Sequence, residues 1–124
     1  MTISIILDTN FLLYILKFKV DLNSIIADEN LEIYVSESVI NELKSLKNLR
    51  TKEGRLAFIA LKLLEEGNFK IVKSVSSKVD EDLLILAKKY GFIVATNDKD
   101  LRKKLKMNNI KTICLRNKKK IEVV

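Results

Sequence analysis

A three-layer α/β/α sandwich, with helices on both sides of a central, mostly parallel sheet, is the fold class this sequence predicts, and three observations predict it. Two apolar runs without alternation, Ile3-Ser4-Ile5-Ile6-Leu7 and Phe92-Ile93-Val94-Ala95, suit strands buried on both faces, which is the mark of a parallel sheet. Strand-like runs alternate with helix-like segments along the chain, the pattern of βαβ units with right-handed crossovers. No proline, repeat or low-complexity linker interrupts the 124 residues, and a 48% hydrophobic composition is enough to fill a core without staples. One domain over residues 1–124 is the expectation.

Each element has a local reason. Residues 3–7 form the first strand and lead into a helix from about Asn10 to Phe18; Asp21 is placed to cap a further short helix through Ala27. Leu31 to Val35 reads as a second strand. Ser36 then offers an N-cap for a helix to about Lys47, with Val39, Ile40, Leu43 and Leu46 on one face. Beyond a polar stretch at 47–53, Arg55 to Glu66 is helical and Gly67 ends it. Phe69 to Val72 is a third strand. Asp80 is a candidate cap for a helix through Tyr90, which Gly91 terminates before strand 92–95. A basic helix from Asp98 to about Met107, a strand from Ile110 to Leu115 and an edge strand at Ile121 to Val124 complete the series. The aromatic residues Phe11, Tyr14, Phe18, Phe58 and Phe92 fall on apolar faces and are expected in the core, leaving no platform for base stacking.

Composition excludes several chemistries. The chain has no histidine, which removes His-dependent triads, His general bases and the usual zinc sites. Any catalytic metal must then rest on oxygen ligands, which points to Mg²⁺ or Mn²⁺. The single Cys114 sits in the apolar run Ile113-Cys114-Leu115, so a packing role in a reducing compartment is expected. Three glycines, at 54, 67 and 91, cannot supply a dinucleotide-binding fingerprint after the first strand. An aspartyl-phosphate phosphatase would need a second acid where Asn10 stands. No apolar run approaches the roughly 20 residues of a membrane span, and a cytoplasmic protein without membrane contact is expected.

The formal charge of +7 is concentrated. Between Lys99 and Val124 a long series of Lys and Arg is opposed only by Asp100 and Glu122, and Lys44, Lys47, Arg50, Lys52 and Arg55 form a second basic stretch. Alone, such runs are ordinary solvated faces; together they point to a polyanion, here nucleic acid.

Both apolar strands end in polar pairs, Asp8-Thr9-Asn10 and Thr96-Asn97-Asp98, at the sheet rim where α/β folds keep their ligands. Glu42 lies at the edge of the Val39/Leu43/Leu46 stripe, and Asp80 and Asp82 open a helix, where each also suits plain capping or dipole chemistry. Like charges gathered in one cleft are tolerated mainly with a cation between them, so a divalent metal site is the first hypothesis.

Four segments in order carry a family resemblance: Ile6-Leu7-Asp8-Thr9-Asn10-Phe11-Leu12-Leu13, Val35-Ser36-Glu37-Ser38-Val39-Ile40-Asn41-Glu42-Leu43, Asp80-Glu81-Asp82-Leu83-Leu84-Ile85-Leu86-Ala87, and Ile93-Val94-Ala95-Thr96-Asn97-Asp98-Lys99-Asp100-Leu101. The chain resembles the PIN-domain nucleases over nearly its whole length. It looks most like the archaeal and eukaryotic members of pre-ribosomal RNA processing, through Asn10-Phe11-Leu12-Leu13, Phe18-Lys19-Val20-Asp21 and Ala95-Thr96-Asn97-Asp98 with the basic helix behind it. The toxin branch of toxin–antitoxin pairs is similar too.

The resemblance implies an endoribonuclease that cuts single-stranded or loop RNA with one or two Mg²⁺ or Mn²⁺ ions, leaving a 5′-phosphate and a 3′-hydroxyl. Ribosomal RNA processing is the leading expectation, with a toxin-type ribonuclease or a non-catalytic RNA-binding scaffold as alternatives. Asp8, Glu42 and Asp98 match three family acids. For the third motif Asp82, directly before the apolar helix, ranks slightly ahead of Asp80. Asn10 and Thr96 match polar residues that would orient carboxylates or water. Lys44, Lys47, Arg50, Arg55, Arg102, Lys103 and Lys106 are the candidates for RNA backbone contacts. A homodimer, an antitoxin and a ribosome-assembly protein stay open as partners.

Overall fold

The computed structural model describes residues 3–22, 30–116 and 120–123. In chain order these form β1 (Ile3–Leu7), α1 (Thr9–Lys17), β2 (Leu31–Ser36), α2 (Glu37–Leu46), α3 (Lys52–Glu65), β3 (Lys70–Val72), α4 (Val79–Tyr90), β4 (Ile93–Ala95), α5 (Lys99–Met107), β5 (Thr112–Arg116) and β6 (Lys120–Val123). The six strands make one sheet in the order β3-β2-β1-β4-β5-β6. Every pairing is parallel except β5 with β6, which is antiparallel at one edge. The expected layered α/β fold with a mostly parallel sheet is therefore what forms.

The absence of alternation in β1 has its reason in the two cores. Ile5 and Leu7 point into a cluster with Phe11 and Leu12 of α1, Val39 and Leu43 of α2, and Ala57 and Ala60 of α3. Ile6 points the other way, among Leu83 and Leu86 of α4 and Leu101 and Leu105 of α5. From Ile5 to Leu7 both faces of the strand are dry, so a polar residue there would lose its water without a partner.

Caps fix where the helices start. Asp8 accepts from the Phe11 amide, Ser36 from Val39, Thr51 from Gly54, and Asp98 from Asp100 and Leu101. Thr51 starts α3 at Lys52, three residues ahead of the sequence expectation and inside the stretch read as a polar connection. Gly54 is required there by space: a Cβ would stand 2.1 Å from the Leu49 carbonyl oxygen and 2.9 Å from that of Leu46. The expected cap at Asp80 is corrected. Lys78 is the N-cap of α4, without a side-chain bond, and Asp80, Glu81 and Asp82 fill the first turn, where their charge suits the helix dipole. At the other end, Gly91 takes the left-handed conformation (φ 75°) and closes the helix.

Three further differences stand out. β5 begins at Thr112, not Ile110, because Asn109 adopts φ 59° and the Ile110 amide still bonds back to Leu105. Phe58, expected in the core, is 53% exposed on the outer face of α3. The short helix expected from Asp21 through Ala27 lies outside the described residues. Among the described residues no helix is long and apolar enough to cross a membrane.

Candidate active site

The sheet reverses its strand order at β1. From there the chain builds outward through β2 and β3 on one side, then through β4 and β5 on the other. That reversal opens a crevice at the carboxyl ends of β1 and β4. The two strands pair Leu7 with Ala95, and the Asp8 amide donates to the Ala95 carbonyl, so Asp8 and Thr96 leave the sheet side by side.

Asp8 is 6% exposed and held at both oxygens. Oδ1 accepts from the Phe11 amide at 2.7 Å, and Oδ2 accepts from the Thr96 hydroxyl. The same hydroxyl oxygen accepts from the Asp98 amide at 3.1 Å, which links the first and last acids through one buried side chain. Asp98 in turn caps α5 with Oδ1. Burial pushes the Asp8 carboxyl up to about 6; the bonds from Thr96 and Phe11 oppose that rise, and the nearby charges of Asp80 and Asp98 add to it.

Asp80 belongs to the same group. Its carboxyl is raised by burial and by the charge of Asp98, against the opposing pull of Lys104. Glu42 of α2 and Asp80 line one cleft of about 560 Å³, together with Lys78, Glu81 and Lys104. Asp8 thus feels the charges of Asp80 and Asp98, and Asp80 that of Asp98, while Glu42 lines the same cleft as Asp80. As the side chains stand, no three acids among the described residues form a ready ligand set for an ion.

Asp82 is placed differently. It is fully buried and accepts four bonds: from Ser38 Oγ and Ser74 Oγ at 2.7 Å each on Oδ2, and from the Val75 and Ser76 amides at 2.8 and 3.1 Å on Oδ1. Ser38 also lies 2.8 Å from Ser36 Oγ, and its amide donates to Ser74 Oγ. This network ties the start of α2, the 74–76 segment and the start of α4 together. The acid that ranked first from sequence is a buried tether; Asp80, ranked second, is the one that faces Asp8 and Asp98.

The remaining sequence candidates scatter. Asn10 is exposed at the start of α1 and lines a separate groove with Lys52 and Arg55. Lys44, Lys47, Arg50, Lys103 and Lys106 are exposed. Arg102 is turned onto the sheet, its Nη1 3.5 Å from Cys114 Sγ, so it lies against β5 and not beside the acids. Lys104, absent from the sequence candidates, is the cation of α5 that acts on Asp80. The signal for it was present: Leu101 and Leu105 are buried, and Lys104 and Arg102 flank that stripe on opposite sides. Which flank faces the acids is a matter of packing. Ser38 and Ser74 were missed because a hydroxyl's partner cannot be read from spacing.

Residues 5–118 match the family described as "PIN like domain". Ribonuclease VapC4 of Methanocaldococcus jannaschii is 36% identical over 124 residues, covering 96% of this chain and 95% of that protein. Ribonuclease VapC9 of Archaeoglobus fulgidus is 37% identical over 120 residues, covering 95% and 87%. Among solved structures, the PIN domain endonuclease Utp24 superposes with a TM-score of 0.78 at 24% identity, over 97% of this chain and 90% of that one. A domain of a functionally unknown protein from Methanocaldococcus jannaschii gives 0.70 at 21% identity, over 93% and 92%. At these identities the two structures speak for the fold alone. With the family's pattern running through almost the entire chain and two relatives more than a third identical to it, the chain belongs to the PIN-like domain family.

Proposed function

We propose that this protein is a divalent-metal-dependent endoribonuclease that hydrolyses phosphodiester bonds of single-stranded or loop RNA. The observation that carries the reading is Asp8: a carboxylate buried at the switch point of the sheet, oriented at both oxygens, with Asp80 and Asp98 close enough to oppose its ionisation. A fold that gathers acids this way works against its own stability unless a cation is to be held there.

The donor set is all oxygen and fits Mg²⁺ or Mn²⁺. Asp8, Asp80, Asp98 and Glu42 are the residues that would hold one or two ions; Asp80 and Glu42 are exposed, where side chains turn over freely, while Asp98 is held by Oδ1 as the cap of α5. The chemistry such an ion supplies is neutralisation of phosphate charge and activation of water for in-line attack on phosphorus. Asp8, with a carboxyl near 6, is ionised at neutral pH, while Thr96 and the Phe11 amide keep its oxygens aimed. Lys104 and Lys78 bring positive charge to a cleft that carboxylates alone would close to a phosphate. Lys44, Lys47, Arg50, Arg55, Lys103 and Lys106 are assigned to RNA backbone contacts, Asp82 to holding the site's frame, and Arg102 to packing.

The name ribonuclease VapC on both relatives favours the toxin-type reading, with an antitoxin as protein partner, over ribosomal RNA processing. The likeness to the Utp24 endonuclease is one of fold. Induced expression in a bacterial host separates the readings: growth arrest by the wild type but not by Asp8→Asn supports a toxin, and unimpaired growth argues against one.

Cleavage of a labelled structured RNA in a Mn²⁺ and Mg²⁺ series tests the enzyme itself. Wild type should cut within loops, and EDTA or Asp8→Asn should abolish cutting while RNA binding persists. Equal cleavage by wild type and Asp8→Asn would reject the site; RNA binding without any cutting under every metal would leave the scaffold reading.

A further inference from the structure

We infer that the groove between α1 and α3 binds an unpaired nucleobase together with the phosphates beside it, an inference that takes RNA as its ligand from the reading above. Asn10, Tyr14 and Lys17 recur at helical spacing and share one face of α1, and the first turns of α3 set Lys52, Arg55 and Leu56 opposite them. The groove they enclose is about 560 Å³, inside the ~300–1,000 Å³ range of small-molecule sites. Leu13, which is buried, adds to its apolar lining.

Two features choose a nucleotide over other occupants. The lining is predominantly apolar while its charged members are three cations against a single acid, Glu53, which suits a flat base flanked by phosphates. The Tyr14 ring, expected in the core with no platform for stacking, instead lines the groove: it is half-buried and backed by Phe18, centroids 4.7 Å apart, which holds it in place for a base to stack on. The exposed amide of Asn10 can both donate to and accept from a base edge. Position agrees as well. Asp8 caps α1, so the groove starts two residues from the buried carboxylate, where a nucleotide neighbouring the cut bond would lie. An acidic or apolar peptide is the rival occupant.

The test uses Asp8→Asn protein, which retains the groove, and a single-stranded oligoribonucleotide carrying 4-thiouridine. Long-wave irradiation followed by mass spectrometry should place adducts on Tyr14, Leu56 or their neighbours in the groove. Lys52→Ala with Arg55→Ala, both at exposed positions, should weaken binding by about tenfold and lower the adduct yield, with the melting temperature unchanged. Replacing the bases by abasic ribose-phosphate should weaken binding of the parent by a similar factor and bring it near the double variant. Adducts confined to other surfaces, or equal affinity for the intact and abasic strands, would overturn the inference and leave the groove to a peptide. Cleavage by the wild type is scored separately. If it cuts RNA and the adducts fall elsewhere, the groove inference alone fails; if it never cuts and the adducts fall in the groove, the enzyme reading alone fails.

Discussion

Thr96 donates its hydroxyl proton to Asp8 across the seam between two parallel strands, and accepts the amide proton of Asp98 on the same oxygen. One fully buried side chain therefore sets the orientation of the first acid and the backbone of the last.

Removing that hydroxyl gives the first prediction. Thr96→Val keeps the shape and leaves Asp8 with one donor fewer in a dry site, so its carboxyl should rise further above 6. On the proposed function cleavage should fall by about 10- to 100-fold, the range for residues that orient metal ligands. Thr96→Ser should recover most of the loss. A pH–rate profile of the three proteins decides, because a purely structural defect would lower the rate without moving the acid limb.

Asp8 gives a stability prediction whose sign follows from the direction of its shift. An acid raised from 3.8 to about 6 binds its proton more tightly in the folded protein than in the unfolded one. Its contribution is fully present below about pH 4 and is lost as pH rises through about 6. At pH 7 the cost is at most about 3 kcal/mol. Asp8→Asn, which cannot ionise, should therefore melt higher than wild type at pH 7, with the gap closing near pH 4. Thermal denaturation at the two pH values checks it, and a lower melting temperature for Asp8→Asn at pH 7 would contradict the burial argument. Cleavage by the wild type should decline on acidification as protons compete with the ion for the Asp8 carboxylate, and the midpoint should move to lower pH as Mn²⁺ is raised.

Asp80 and Asp82 separate cleanly by experiment. Asp82→Asn presents an amide N–H₂ where hydroxyl or amide donors now point, and should cost about 1–3 kcal/mol of stability. Asp80→Asn relieves like-charge repulsion and should leave stability unchanged or slightly higher while cleavage collapses. Chemical denaturation and the RNA assay, run on both variants, would reverse the assignment if Asp82→Asn proved stable and inactive.

Gly54→Ala tests packing where the first turn of α3 meets the end of α2. The added methyl meets the carbonyl oxygens of Leu46, at the end of α2, and Leu49, in the connection to α3, backbone that cannot swing aside. A loss of about 1–3 kcal/mol is expected, the usual cost of overpacking, and an unchanged urea midpoint would refute it.

Much of the site was legible because its acids follow strands or open helices. A run such as Ile93-Val94-Ala95 favours burial and the first polar residues after it favour the rim, so Asp8 and Asp98 could be put at strand ends from the order of residues. Asp80 and Asp82 show the limit. Residues two apart on a helix point to nearly opposite sides, so one of them had to leave the cleft, but periodicity does not say which. The Ser38 and Ser74 hydroxyls, brought in from the start of α2 and the segment after β3, decided it.

The same distinction holds for the molecule as a whole. Sequence by itself determined the layered α/β class, most of the strands and helices, the absence of any imidazole in a chain without histidine, and the family. Tertiary structure alone decided that Asp80 and Lys104 turn toward the carboxylates while Asp82 and Arg102 turn away, and that Phe58 faces out. Hydrophobic burial acts on whole runs and leaves its record in a single stretch of chain. The side a helix presents depends on what packs against it, and that information is spread over residues distant in sequence.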